Sequence, residues 1–226
     1  MSQQDWKPKN AAQALVEFSI KIGSLELLPA GRTLKSGRVS PYFFNSGLFC
    51  DGSALEFLGS SYAEVIASSA IPYDVVFGPA YKGIPLAVTT AIHLARKGLA
   101  SDYTFNRKEA KGHGEGGLLV GASLAGKRVI IADDVITDGA SKREAKETIE
   151  AAGGTVVAVV IAFDRQERGI GTLSALKEFE QTFETPVLAA ATLSDLIDVI
   201  EATANAHPER GEILPKILAY RSEFGA

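Results

Sequence analysis

Val129-Ile130-Ile131-Ala132-Asp133-Asp134-Val135-Ile136-Thr137-Asp138-Gly139-Ala140-Ser141 is the stretch that decides the fold of this 226-residue chain. An apolar run reads as a buried strand, two adjacent carboxylates follow it, and a glycine turn opens into a helix predicted over Ala140 to Ala152. In sheets built this way ligands sit at the carboxyl ends of the strands. Backbone N–H groups from Thr137 to Ser141 can turn inward, Gly139 allows close approach, and the helix adds its positive end, so the stretch can cradle a phosphate dianion. Asp133 and Asp134 can then accept hydrogen bonds from the vicinal hydroxyls of a ribose whose phosphate lies in the loop. The plainer alternative is an Asp pair at a strand end, followed by an ordinary capped helix.

Outward from this stretch the same alternation repeats. Asp74 to Phe77, Ser101 to Phe105 and Thr155 to Phe163 read as strands, and Ile84 to Lys97 as a helix. Weaker patterns place helices over Leu173 to Phe183, Leu193 to Thr203 and Ile213 to Phe224, with a strand over Pro186 to Ala191. Strand and helix alternation argues for an α/β fold, a mostly parallel central sheet flanked by helices. Toward the N-terminus, Ala11 to Ile22 forms an amphipathic helix, and Asp51 to Ser69 forms another that Pro72 follows. Between them, from Leu25 to Leu48, Gly, Pro and Ser punctuate short apolar runs, which favours short strands joined by turns. That segment is expected to form a small hood, mainly about residues 24–50, on a single domain spanning 1–226.

The whole-chain numbers restrict the partners. A net charge of −4 leaves no global footprint for nucleic acid, so an anionic ligand must be met by local basic clusters. The lone Cys50 excludes an internal disulfide, the first ten residues lack an apolar signal core, and no apolar run approaches the roughly 20 residues of a membrane helix. A cytoplasmic protein is expected. No GxGxxG lies between a predicted strand and a predicted helix and no GxxxxGK[ST] occurs, so neither a dinucleotide fingerprint nor a P-loop is present. His93 and Cys50 read as packed residues and His207 as part of a polar turn, and the histidines and cysteine show no metal-ligand spacing.

Asn106-Arg107-Lys108-Glu109-Ala110-Lys111-Gly112-His113-Gly114-Glu115-Gly116-Gly117 concentrates cations and glycines with nothing apolar to pack them down. Such a segment is costly to order, so a mobile loop over about 107–117 is expected to close when a polyanion compensates. Closing Arg107, Lys108, Lys111 and His113 over a pyrophosphate would exclude water and stabilise charge on a leaving group. The alternative is a solvated polar hairpin.

The loop resembles the catalytic loop of the orotate phosphoribosyltransferases, within the type I phosphoribosyltransferase family, and the Val129–Ser141 block resembles that family's diphosphoribose-binding motif. Three more stretches carry the likeness: Lys35-Ser36-Gly37-Arg38-Val39-Ser40-Pro41-Tyr42-Phe43-Phe44-Asn45, Gly78-Pro79-Ala80-Tyr81-Lys82-Gly83-Ile84-Pro85, and Phe163-Asp164-Arg165-Gln166-Glu167-Arg168-Gly169. The resemblance implies Mg²⁺-dependent transfer of ribose 5-phosphate from 5-phosphoribosyl 1-diphosphate to orotate, giving orotidine 5′-monophosphate and pyrophosphate in pyrimidine (UMP) biosynthesis. It implies catalytic roles for Lys111, His113, Asp133, Asp134, Arg107 and Lys108. It places the phosphoribosyl diphosphate against Lys35, Tyr81, Lys82, the four loop side chains, and Asp133, Asp134, Val135, Ile136, Thr137, Asp138, Gly139, Ala140 and Ser141. Orotate is placed against Lys35, Phe43, Phe44, Thr137 and Arg165. Phe43 and Phe44 are adjacent in a strand and point to opposite faces, so at most one ring stacks on the base. Arg165 can meet a carboxylate in two parallel bonds. Mg²⁺ is expected to arrive with the pyrophosphate, held by substrate oxygens and water rather than by protein ligands. The resemblance further implies a homodimer whose loop reaches the neighbouring site, with no nucleic acid or membrane partner. Asp138 departs from the family pattern, which carries a small residue there. Transfer to a purine or another pyrimidine, a regulatory protein that senses phosphoribosyl diphosphate and binds nucleic acid, and a structural subunit, which would leave the loop's cations without a purpose, are the rival readings. The Phe43-Phe44-Asn45 stretch argues against the first, and the absence of a basic excess against the second.

Overall fold

A computed structural model of the chain describes residues 7–99, 101–111, 117–136, 140–169 and 171–226, with the backbone alone at 110, 111, 140 and 141. The chain divides into two compact units. Unit 1 comprises Met1–Phe49, Phe163–Glu178 and Ala191–Ala226; unit 2 comprises Cys50–Ala162 and Phe179–Ala190.

Unit 1 begins with α1 (Ala11–Lys21), which starts where the Asn10 side chain accepts a hydrogen bond from the Gln13 N–H. Strands β1 (Leu25–Thr33) and β2 (Val39–Phe44) then pair antiparallel, with the register shifting between Leu27 and Arg32. Two helices, α6 (Leu193–Thr203) and α7 (Pro208–Phe224), complete this unit. Thr192 and Asp195 form a reciprocal capping box at the start of α6. Arg210 on α7, 6% exposed, donates to both Glu17 oxygens at 2.7 and 3.0 Å and to Thr203 Oγ1 at 3.0 Å, tying α1, α6 and α7 together. The periodicity placed the start of this last helix at Ile213. It starts five residues earlier because Pro208 fits a first turn, where its missing N–H is not needed.

Unit 2 opens with α2 (Gly52–Ser69), capped by Asp51, whose side chain accepts from Ala54 N at 2.9 Å. It continues through β3 (Val75–Gly78), α3 (Gly83–Arg96), β4 (Asp102–Lys111), β5 (Gly117–Gly121), β6 (Arg128–Ala132) and α4 (Ala140–Ala151). The remaining elements in chain order are β7 (Thr155–Asp164), α5 (Ala175–Phe183) and β8 (Val187–Thr192). The six-stranded sheet runs β5-β4-β3-β6-β7-β8, with β3 parallel to both β4 and β6, β6 parallel to β7, and β5 antiparallel to β4. Val129–Ala132 are at most 1% exposed, as expected of a strand covered on both faces. Helices α2 and α3 approach closely at Gly59, where an added Cβ would lie 2.3 Å from Thr89 Oγ1. Strand β4 continues through Lys111, whereas the sequence pattern ended it at Phe105. Antiparallel pairing with β5 carries Asn106–Lys111 into the sheet despite their polarity. Among the described residues no helix is long and apolar enough to cross a membrane.

Candidate active site

In unit 2 the sheet delivers two carboxylates at the end of β6. Asp133 N–H donates to Val160 O at 3.0 Å and Asp134 O accepts from Ala162 N–H at 2.9 Å, so the backbone stays fastened to β7 for two residues beyond β6. From α2, the fully buried Tyr62 donates its hydroxyl to Asp133 O at 2.7 Å. Burial, followed by the charges of Asp133 and Asp134, pushes the Tyr62 phenol well above its usual range, which keeps it a donor.

The two carboxylates are satisfied in the same way. Asp133, 6% exposed, accepts the Asp134 N–H on Oδ1 at 2.9 Å, and Lys142 Nζ lies 2.6 Å from its Oδ2. Asp134 accepts the Val135 N–H on Oδ1 at 2.8 Å and Lys82 Nζ on Oδ2 at 3.0 Å. Lys142, only 4% exposed, also donates to Val135 O at 2.5 Å, so one ammonium from the first turn of α4 grips the segment twice. Such a site presents carboxylates whose orientation is set before a polyol arrives.

Gly78–Gly83 forms the neighbouring turn between β3 and α3. An added Cβ on Gly78 would lie 2.2 Å from Gly83 O, and one on Gly83 would lie 2.4 Å from Pro79 Cδ and 3.0 Å from Ala132 O. Glycine is needed at both positions because the turn folds back on itself and against the end of β6. The Ala80–Tyr81 peptide is cis. Asn106 Oδ1 accepts the Ala80 N–H at 2.9 Å, fixing the turn from β4. The Lys82 side chain is 62% exposed and Tyr81 is 66% exposed, with Lys108 Nζ 5.0 Å from the Tyr81 ring centre. Tyr81, Asn106, Arg107 and Lys108 help line a cleft of about 400 Å³. Arg107 donates to Gly117 O at 3.2 Å.

Unit 1 holds a second cluster, of opposite sign. Arg165 follows β7 with its Nε donating to Glu167 Oε1 at 2.8 Å and its Nη2 to Ser40 Oγ at 2.9 Å, its guanidinium lying 4.4 Å from the Tyr42 ring centre. Glu167 also accepts from Tyr42 Oη at 3.2 Å and from Arg38 Nη1 at 3.3 Å. Burial works against the charge on Arg165, but Tyr42 and Glu167 outweigh it and hold the guanidinium above its usual range. The Nε–Nη2 edge is therefore occupied by Glu167 and Ser40. The adjacent aromatics of β2 separate as expected of a strand: Phe44 is buried and stacks on Phe163 at 5.7 Å, whereas the half-buried Phe43 carries the Arg32 guanidinium at 4.4 Å. Phe44 is thus a core residue, and Phe43 is the one whose ring faces elsewhere. Lys35 is exposed in the turn between β1 and β2.

Thr137, Asp138, Gly139 and His113 lie outside the described residues, as do the side chains of Lys111, Ala140 and Ser141. The half-buried Val135 and Ile136 follow the carboxylates directly. No described group of three or more His, Cys, Asp or Glu residues forms a metal site.

Sequence reasoning missed Lys142, Tyr62 and the holding roles of Asn106, Ser40 and Glu167. Lys142 left a trace: no acidic residue lies in the first turn of α4, and a cation there opposes the helix dipole. Tyr62 left none, since a tyrosine on an apolar helix face reads as packing.

The model of the phosphoribosyl transferase domain matches residues 54–179. Orotate phosphoribosyltransferase of Shigella flexneri is 50% identical over 219 residues, covering 96% of this chain and 99% of that protein. The crystal structure of orotate phosphoribosyltransferase from Francisella tularensis is 35% identical, with a TM-score of 0.82 over 98% of this chain and 99% of that one. A Mycobacterium tuberculosis orotate phosphoribosyltransferase in complex with 5-phospho-α-D-ribosyl 1-diphosphate shares the fold, at 23% identity and a TM-score of 0.61, over 83% of this chain and 99% of that one.

Proposed function

Given that this chain belongs to the phosphoribosyl transferase family and, within it, to the orotate phosphoribosyltransferases, we propose that its two charge clusters divide the substrates between them. The reaction transfers ribose 5-phosphate from 5-phosphoribosyl 1-diphosphate to orotate, releasing pyrophosphate and forming orotidine 5′-monophosphate for pyrimidine biosynthesis. Asp133 and Asp134 accept hydrogen bonds from the ribose hydroxyls, and the Thr137–Ser141 backbone takes the 5′-phosphate. The observation that carries this reading is the matched pair at the end of β6, where each carboxylate has one oxygen on a backbone N–H and the other on a lysine.

As the C1–O bond breaks ahead of attack by the base nitrogen, positive charge gathers on the ribose and negative charge on the pyrophosphate. The two aspartates face the first charge. Lys82, Arg107, Lys108, Lys111 and His113 answer the second, with Lys111 and His113 placed to neutralise or protonate the leaving group. Arg165 takes the carboxylate of orotate, with Phe43 beside the ring and Lys35 and Thr137 supplying further contacts.

Mg²⁺ fits as an ion borne by the substrate. The two aspartates already carry lysines, so the pyrophosphate and water would supply most of the oxygen ligands the ion needs. When bound it offsets pyrophosphate charge. The active form is a homodimer in the cytoplasm, with the 107–117 segment of one subunit serving the site of the other.

The test is to incubate the protein with orotate, phosphoribosyl diphosphate and Mg²⁺ and follow orotate absorbance. Mg²⁺-dependent loss is expected, and none would overturn the assignment. Mixing inactive Lys111→Ala and Asp133→Asn subunits under exchange is expected to restore part of the activity. No recovery would rule out the shared site.

A further inference from the structure

In unit 1, the segment 220–226 converges on Arg165 by three routes. The first is backbone pairing. Arg168 N–H donates to Phe224 O at 2.8 Å, Ala226 N–H donates to Gln166 O at 3.1 Å, and Glu167 faces Gly225 in an antiparallel bridge. The second runs through Phe224, whose ring carries the Arg38 guanidinium at 5.1 Å while Arg38 bonds Glu167, the carboxylate that holds Arg165. The third runs through Tyr220, 5% exposed, which meets Tyr42 edge-on at 6.0 Å on the ring that Arg165 covers.

The turn being held is itself strained. Gln166, directly after Arg165, has φ 51°, a left-handed conformation uncommon for a residue with a side chain. Such a conformation persists only where its surroundings over-determine it. Here Ser194, at the start of α6, donates its N–H and Oγ to Gln166 Oε1 at 3.0 and 2.7 Å, and Ala226 bonds the Gln166 carbonyl. Gly225 makes the pairing possible: an added Cβ there would lie 2.4 Å from Arg221 O.

We propose that residues 220–226 are a positioning element for Arg165, so that recognition of the base carboxylate depends on the last turn of α7 and the two residues after it. Tyr220 adds a buried hydroxyl with no hydrogen-bond partner among the described residues, and its phenol is raised by burial and then by Glu167. The inference rests on the reading that Arg165 binds orotate, and the experiment separates the two.

Three variants are compared in the full chain: Arg165→Gln as reference, Gly225→Ala to push the paired segment off the turn, and Phe224→Ala to remove the ring beneath Arg38. For each, KM is measured for orotate and for phosphoribosyl diphosphate, with kcat/KM for orotate against uracil, which lacks the carboxylate. Gly225→Ala and Phe224→Ala are expected to raise KM for orotate about 3–10-fold, equivalent to about 0.7–1.4 kcal/mol. KM for phosphoribosyl diphosphate stays within about twofold, and the preference for orotate over uracil falls in step with the orotate KM. A purely structural role would move both KM values together and leave the preference unchanged, and that outcome overturns the proposal. If Arg165→Gln raises KM for orotate while the other two variants do not, the proposal fails and the Arg165 reading survives. If Arg165→Gln has no effect, both fail. Should Gly225→Ala not fold, Phe224→Ala decides alone.

Discussion

Asp133 in unit 2 and Arg165 in unit 1 are buried or half-buried charges of opposite sign, and each is held by a partner of the other sign. Asp133 has Lys142 at 2.6 Å; Arg165 has Glu167 at 2.8 Å. They differ in how the rest of the shell is made. Around Asp133 the fixing groups include backbone amides, the Lys142 ammonium and the Tyr62 hydroxyl, whereas around Arg165 they are side chains, namely Ser40, Tyr42 and Glu167, with Arg38 behind them. A loop that must orient hydroxyl acceptors can rely on the main chain of a parallel sheet. A guanidinium on a turn beyond the strand has no such ladder and needs a shell of side chains.

The strongest way to break this comparison is to remove the hidden cation. Lys142→Met leaves the Asp133 carboxylate buried without its ion pair, and loss of one partner of a buried pair is expected to lower unfolding stability by about 3–5 kcal/mol. Lys142→Met with Asp133→Asn should recover much of that in urea unfolding. If the double variant is no more stable than the single one, Lys142 does not act through Asp133.

Removing the hidden anion should do less to stability and more to recognition. Glu167→Gln weakens a charged hydrogen bond worth about 1.5–3 kcal/mol, and up to about tenfold of that loss should appear in KM for orotate. An unchanged orotate KM in this variant would mean that Glu167 is not what aims Arg165.

A smaller effect is expected at Tyr62. Tyr62→Phe leaves the buried Asp133 carbonyl one donor short, for about 1–3 kcal/mol in thermal unfolding. A change below about 0.5 kcal/mol would show that the β7 ladder alone positions the carboxylate.

The smallest belongs to neither cluster and sets the background for both. Burial, then Arg96, holds the His93 imidazole below its usual value. The folded chain thus binds fewer protons there than the unfolded chain, so stability is retained above the unfolded value near 6.5 and declines as pH falls below it. His93→Gln should flatten part of that decline between pH 7.5 and 5.5. An unchanged pH slope would assign the decline elsewhere.

How much was readable in advance follows the same division. The alternation from Val75 to Phe163 was legible because parallel strands buried on both faces are continuous apolar runs, and Asn10, Asp51 and Thr192 mark helix starts with residues that cap them. The placement of Asp133, Asp134 and Arg165 at strand carboxyl ends was legible from the apolar runs that precede them. Their partners were not. Tyr62 reaches Asp133 across 71 positions, and Arg165 reaches Ser40 across 125, contacts that no local pattern encodes. The extension of β4 to Lys111 escaped for a related reason: its strand character comes from pairing with β5, while its own residues are polar. Phe44 shows the converse, a residue that resembled a base contact and that Phe163 draws into the core.

The division of substrates between the two clusters is tested most directly by steady-state KM values of Arg165→Gln for both substrates. Loss of a charge-assisted contact of about 1.5–3 kcal/mol is expected to raise KM for orotate by roughly 10–150-fold while KM for phosphoribosyl diphosphate stays within about twofold. An orotate KM that does not move, or a rise of the same size for both substrates, would contradict it.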